Sequence, residues 1–317
     1  MAWSAGLQKL FAKILDRGYI MREKLNNIWE LASKSVQEWS DDDAAQLAAA
    51  IAYYTILSIP PLVIILLVIA GYFFKIDIAQ NQLIAEIGDF VGPQTANFVK
   101  FLLINPTQSS NSPIASIISI VVLLASASGV FYQIQYALNK VWDVPQKHGR
   151  TLVNLLQNRF LSFLMVLAIG FLLLVFLILS AVISVFIGYM NGSAQNMFFP
   201  QVINFFVLFI TTTILFGIIY RVIPDKDITW TDVWLGAVVT ALLFILGRYV
   251  IGLYLTISKS GSAYGAAGSL IVLLLWIYYS AQIFLLGAEF THVYSRKFGS
   301  HQGLEANTPS MMEKTPV

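Results

Sequence analysis

FLSFLMVLAIGFLLLVFLILSAVISVFIGYM, residues 160–190, contains no charged side chain and decides the fold. About 20 apolar residues suffice to cross roughly 30 Å of hydrocarbon as a helix. This stretch exceeds that length, is dominated by Leu, Phe, Ile and Val, and is expected to face lipid broadly. It is too long for a tilted barrel strand of about 9–11 residues, and it lacks two-residue alternation. Working outward, comparable apolar stretches occupy 47–74, 114–138, 202–223, 233–256 and 266–295. The expected fold class is all-α: a polytopic membrane protein with six transmembrane helices, filling residues 41–297.

Composition agrees. Hydrophobic residues make up 57% of the 317 and charged residues only 11%, against about 25% charged in an average soluble domain. There is no cysteine, which excludes disulfides, thiolate metal sites and cysteine nucleophiles. A net charge of +2 gives no reason to expect nucleic acid as a partner. The first 46 residues are polar and show no cleavable signal of the usual pattern, so span 47–74 is expected to act as the anchor.

The basic residues orient the bundle. Lys9, Lys13, Arg17, Arg22, Lys24 and Lys34 precede span 1, and Lys140, Lys147, Arg150 and Arg159 follow span 2. Arg221 and Lys226 follow span 4; Arg296, Lys297 and Lys314 follow span 6. The opposite side holds only Lys75, Lys100 and Lys259, with Arg248 inside span 5. Basic residues favour the cytoplasmic side, so both termini are expected there, in a bacterial plasma (inner) membrane. An even number of crossings follows, in agreement with the count of spans.

Residues 1–40 read as an amphipathic cytoplasmic segment. Leu7, Leu10, Phe11, Ile14 and Leu15 form one stripe, and Ile28, Leu31, Ala32, Val36 and Trp39 repeat it. Such helices lie in the membrane interface or pack on the bundle's own end; both readings stay open. Asp41-Asp42-Asp43 suits the N-terminus of span 1, where carboxylates meet the partial positive charge of the helix. Residues 78–104 read as two short helices on the outer face, and 298–317 as a disordered tail.

Pro60-Pro61 interrupts span 1 by removing the bonds to the carbonyls of Ile56 and Leu57. A kinked or two-part helix is expected, with Tyr53, Tyr54 and Ser58 just before the break. Freed backbone groups in a membrane need partners, so a broken helix often lines a cavity; a packing kink is the plainer alternative. Arg248 lies about 15 residues into span 5, where it either snorkels to the outer interface or holds an anionic headgroup or carboxylate with its planar fork. Glu289, near the cytoplasmic end of span 6, is expected at a different depth and near Arg296, Arg221 or the cytoplasmic loop. Gln133, Gln135 and Gln282 are costly in lipid and should face protein or water. Tyr264 lies in Gly261-Ser262-Ala263-Tyr264-Gly265-Ala266-Ala267-Gly268, whose small residues let helices approach closely or form a gate. These residues are the candidate substrate path. No catalytic residue, metal site or cofactor is expected: His148, His292 and His301 form no ligand-like pair, and Gly-x-Ser-x-Gly is absent.

Ala48-Ala49-Ala50-Ile51-Ala52-Tyr53-Tyr54 leading to Ser58-Ile59-Pro60-Pro61, Tyr220-Arg221-Val222-Ile223-Pro224-Asp225, Trp234-x-Gly236-Ala237, and Tyr264 to Leu270 through Gly287-Ala288-Glu289 together resemble the YihY/BrkB family of bacterial inner-membrane proteins. The resemblance covers residues 35–297 and implies six helices in the plasma membrane. It also implies a link to serum resistance and lipid-precursor export, with no agreed activity and no established catalytic residues. An older ribonuclease label for the family finds no nuclease site here. The expected function is a transporter or flippase of a lipid or other amphipathic anion, with membrane lipids as partners and a homo-oligomer compatible with the sequence. The alternative is a non-transporting scaffold for envelope assembly. A membrane-bound enzyme ranks third.

Overall fold

The computed structural model describes residues 26–73, 129–145, 198–258 and 268–299, with isolated positions at 22, 23, 81, 84, 85, 88, 96 and 100. Among them every regular element is helical. We number the helices α1 (26–41), α2 (Ala44–Phe73), α3 (129–141), α4 (Phe198–Val222), α5 (Trp230–Ser258) and α6 (Gly268–Lys297). Among the described residues, three segments are long and apolar enough to cross a membrane: Phe205–Val222, Trp230–Tyr254 and Leu270–Lys297. Their outer faces carry Phe206, Ile210, Leu246, Val250 and Leu253, all exposed. A soluble helix would be polar there, and one that is apolar all round belongs in lipid.

Local chemistry sets the helix ends. The Asp43 carbonyl accepts from the Gln46 and Leu47 amides and starts α2. Asp43 itself has φ 54°, a left-handed value that Asp tolerates better than most residues. Asp143, with φ 51°, ends α3 the same way. Its amide bonds to the Lys140 carbonyl, and the Val144 amide to the Asn139 carbonyl, the pairing that satisfies the last turn of a helix. α4 stops two residues before Pro224, which disfavours helix in the residue before it. Asp232 in the first turn of α5 and Arg296 and Lys297 in the last turn of α6 complement the helix dipoles.

α6 packs against α2 and α5, and α4 packs against α5. Thr291 of α6 sits against Gly236 of α5, and Tyr279 against Gly247, so these helices are antiparallel. Tyr220 meets Thr240 and Phe216 meets Phe244, which makes α4 and α5 antiparallel too. The Tyr54 ring covers Gly129, while Lys140 reaches the Asp42 carbonyl, so α3 runs against α2. One end of the bundle therefore gathers the starts of α2 and α5 and the ends of α3, α4 and α6. Ala44, Ala48, Ala237, Ala241, Ala281 and Ala288 line the buried core beside Leu138, Val141, Trp142, Tyr220 and Leu285. Small residues permit the close helix approach that membrane bundles depend on.

Two expectations are narrowed. The helix does not divide at Pro60-Pro61: Ala44–Phe73 is a single element through both prolines. Two missing donors leave the rest of the ladder intact, and bending rather than division is the usual result. The apolar stripe of residues 28–39 is also divided. Leu31 and Ser35 face inward and Trp39 packs against the core, but Ile28 and Val36 are exposed beside Trp29, which is 76% exposed. Helix α1 is pinned on the bundle's polar end by Lys297 Nζ to Glu30 Oε2, 2.6 Å. The spans expected at 160–190 and most of 114–138, the glycine-rich run with Tyr264, and the C-terminal tail lie outside the described residues; of the outer hairpin, only isolated positions are described.

Candidate functional site

At the end where these termini gather, five elements bring charged and aromatic side chains together. Glu289 on α6 is at its centre. It is completely buried, and neither carboxylate oxygen reaches a donor at hydrogen-bond geometry among the described residues. The carboxyls of Asp42, Glu38 and Asp143 all bear on it, Asp42 from directly beside it. Burial holds the Asp42 carboxyl above the usual range for an aspartate; Asp143 adds to the effect and Lys140 opposes it.

One turn along α6, buried His292 lies tilted against the Trp142 ring, the ring centres 4.9 Å apart. Its Nε2 is 3.8 Å from Asp143 Oδ2. A further turn on, the Arg296 guanidinium donates to Asp143 Oδ2 at 2.8 Å and lies 3.9 Å from Glu38. Residues three and four apart share a helix face, which is how α6 presents Glu289, His292 and Arg296 to the same neighbours. On the far side of Trp142, Lys226 Nζ donates to its carbonyl at 2.9 Å and sits 5.3 Å from its ring centre. Burial pushes the Lys226 ammonium below its usual range. Ser295 Oγ donates to the buried Asp232 carboxylate at 2.8 Å, tying α6 to the start of α5.

Two glycines make this end possible. A Cβ on Gly236 would fall inside the Thr291 side chain, and one on Gly287 inside Thr240. Each threonine hydroxyl turns back to its own helix: Thr240 Oγ1 to the Gly236 carbonyl and Thr291 Oγ1 to the Gly287 carbonyl, both 2.7 Å. The crossing is reciprocal, glycine under threonine twice over. Tyr220 closes it from α4, donating to the Phe284 carbonyl at 2.6 Å and touching Thr240 Oγ1 at 3.1 Å.

The residues expected to line a path are dispersed. Tyr53 is 57% exposed and meets Tyr54 edge-on. Ser58 is buried and donates to the Thr55 carbonyl at 2.8 Å. Pro60 and Pro61 lie within α2, but their side chains are outside the described set, as is Tyr264. Gln133 is buried, Gln282 half-buried, and Gln135 donates to Asp225 at 3.1 Å. Arg248 is half-buried between exposed Leu246 and Tyr249 on α5. The pairing of Gly236 with Thr291 and of Gly247 with Tyr279 places Arg248 about 15 Å along the bundle from Glu289, as the helix rises require. Of Glu289's expected neighbours, Arg296 spends its guanidinium on Asp143 and Glu38. The loop after α3 does supply one neighbour, the Asp143 carboxylate.

Sequence reasoning missed Trp142, Asp143, His292 and Tyr220. The signal for His292 was its place three residues after Glu289, on the same face. Asp143 carried no signal, since its role depends on a left-handed turn. The cluster holds acidic and imidazole groups within interaction distance of one another, an arrangement suited to taking up and releasing protons. No group of three or more metal-ligating side chains occurs among the described residues.

The model of the virulence factor BrkB family matches residues 35–311. A UPF0761 membrane protein of Glaesserella parasuis serovar 5 is 29% identical over 58% of this chain and 63% of its own length. The chain thus spans a little under two thirds of that relative. UPF0761 membrane proteins of Psychromonas ingrahamii and Pseudoalteromonas atlantica are 27% and 29% identical, covering 68% and 72% of this chain and 68% and 73% of their own lengths. No solved structure matches it. The apolar helices and these relatives make it a membrane protein, and the chain belongs to the BrkB family.

Proposed function

We propose that this is a non-enzymatic plasma-membrane protein that moves a lipid or other amphipathic anion across the bilayer. In this reading it has six crossings and both termini in the cytoplasm. The observation that carries the proposal is Glu289. A carboxyl fully buried against the Asp42 carboxyl, with other carboxyls around it, at the end of an apolar bundle is costly, and ionisable groups held inside membrane bundles mark substrate paths and proton relays. We assign the Glu289, Asp42 and His292 cluster the role of a proton-responsive element that changes the packing of α6 on α2 during transport. Arg248, near the opposite face, would attract the anionic part of the substrate.

The topology has independent support. α3 ends at the polar end while α4 begins at the opposite one, and the sequence between them holds an apolar stretch, 160–190, long enough for one crossing. Lys140, Arg221, Lys226, Arg296 and Lys297 all gather at the polar end, which favours the cytoplasm.

Reconstituted vesicles test the function. Wild-type protein is expected to accelerate flip of a fluorescent phospholipid over protein-free vesicles, and to do so with a pH dependence. Glu289→Gln, close to isosteric, should fold and flatten that dependence; Arg248→Ala should slow flip at every pH. Equal rates with and without protein would remove the transport reading. The second reading, a scaffold, is favoured by the outward stripe Ile28, Trp29 and Val36 on α1. Trp29→Ala would then impair envelope integrity in cells while leaving lipid flip unchanged.

A further inference from the structure

Between α4 and α5 the chain makes a short loop with a cavity of about 480 Å³, within the roughly 300–1,000 Å³ of small-molecule sites. Its depth follows from its neighbours. Arg221 and Val222 end one membrane-length segment and Trp230 begins the next, so a cavity lined by all three lies at the level of lipid headgroups. Trp230 is 46% exposed and adjoins exposed Trp234 at 6.1 Å; paired tryptophans of this kind mark membrane–water interfaces. The loop is held firmly, with Ile223 and Ile228 buried beneath it.

Four charged residues line the cavity, two of each sign. Two are committed to the fold. Asp225 accepts from Gln135 Nε2 and from Asn139 Nδ2 at 2.9 Å, and its amide donates to Asn139 Oδ1. Lys226 is spent on the Trp142 carbonyl and ring. Arg221 and Asp227 remain for a ligand. Arg221 Nε–H is sealed from solvent without an acceptor among the described residues, so a ligand in the cavity meets the terminal nitrogens of the guanidinium. A simple anion would meet Asp227 and a simple cation would meet Arg221, so the lining matches a molecule carrying both charges. A guanidinium fork suits a phosphate diester, and an ammonium is held by a carboxylate and by the face of a tryptophan.

We propose that this cavity binds the headgroup of a zwitterionic phospholipid, with the phosphate on Arg221 and the ammonium between Asp227 and Trp230. The proposal rests on the membrane placement and not on transport: the site binds lipid whether or not the protein moves it. The same phosphate–ammonium chemistry exists in soluble glycerophosphoethanolamine, and the acyl chains separate the two sources, with exposed, apolar Val222 in the cavity lining.

Native mass spectrometry of the purified full chain provides the test, using phosphatidylethanolamine and phosphatidylglycerol of matched chains. Phosphatidylethanolamine is expected to bind more tightly. Arg221→Gln should weaken both lipids by roughly tenfold, since both offer a phosphate. Asp227→Asn should weaken only phosphatidylethanolamine and erase the preference. If Arg221→Gln does not fold, Arg221→Lys keeps the charge without the fork and should still lose affinity. A large excess of glycerophosphoethanolamine should leave the lipid bound. A wild-type preference for phosphatidylglycerol, unchanged affinity in the Arg221 variants, an undiminished preference in Asp227→Asn, or displacement by glycerophosphoethanolamine would each overturn the proposal. Loss of lipid flip with binding intact would count against transport alone.

Discussion

Asp42 shows how much a single position at the polar end depends on its surroundings. Its carboxyl is raised above the usual range for an aspartate, first by burial and then by Asp143. An acid raised in the fold costs stability once pH exceeds its unfolded value, because the unfolded chain ionises more readily than the folded one. The cost appears as pH climbs from about 4 through the raised value and persists above it. Asp42→Asn removes the charge and leaves the backbone carbonyl that Lys140 holds. In detergent at pH 7.5, its thermal stability should equal or exceed wild type, by up to about 1 kcal/mol given the solvent screening of a partly exposed group. The difference should vanish near pH 4. A less stable variant at pH 7.5 would mean the carboxylate makes a favourable contact that burial and like charges do not account for. Glu30, at the exposed rim, goes the other way: its hydrogen bond to Lys297 holds it below the usual range.

Helices were the part of this molecule most legible from sequence, and the crossing of α5 with α6 was the least. Apolar runs at 47–74, 202–223, 233–256 and 266–295 fall within four residues of the observed α2, α4, α5 and α6, because hydrocarbon thickness sets a length that composition alone reveals. Of the two outcomes expected at Pro60-Pro61, a kink or a two-part helix, the second does not occur, because a proline rule describes lost hydrogen bonds, not what the rest of the ladder will tolerate. The reciprocal glycine–threonine contact could not be read at all. Gly236 and Gly287 were visible as motif residues, but only the packed helices show each lying under the other's threonine. Gly236→Ala should therefore destabilise the protein by about 1–3 kcal/mol, the usual cost of overpacking, and Gly287→Ala by at least as much, since Tyr220 also crowds it. Gly252→Ala, with open space around it, serves as the control and should be neutral or slightly stabilising. Equal melting temperatures for all three variants would refute the crossing as described.

For the whole molecule, the account requires that apolar helices cross the bilayer with the Glu289 cluster and the Arg221 cavity on the cytoplasmic side. Sequence supplied the charge asymmetry behind that orientation, but not the convergence of Asp42, Asp143, Lys226 and Arg296 on one end. These residues are spread from the first span to the last, and only antiparallel packing of neighbouring helices unites them. The absence of cysteine makes the orientation directly measurable. Single cysteines introduced as Ser40→Cys, at the polar end, and Ser193→Cys, just after the apolar stretch 160–190 in sequence, can be probed with a membrane-impermeant maleimide in spheroplasts. Ser193→Cys should label in intact spheroplasts and Ser40→Cys only after permeabilisation; labelling of Ser40→Cys from outside, or equal labelling of both, would contradict the account.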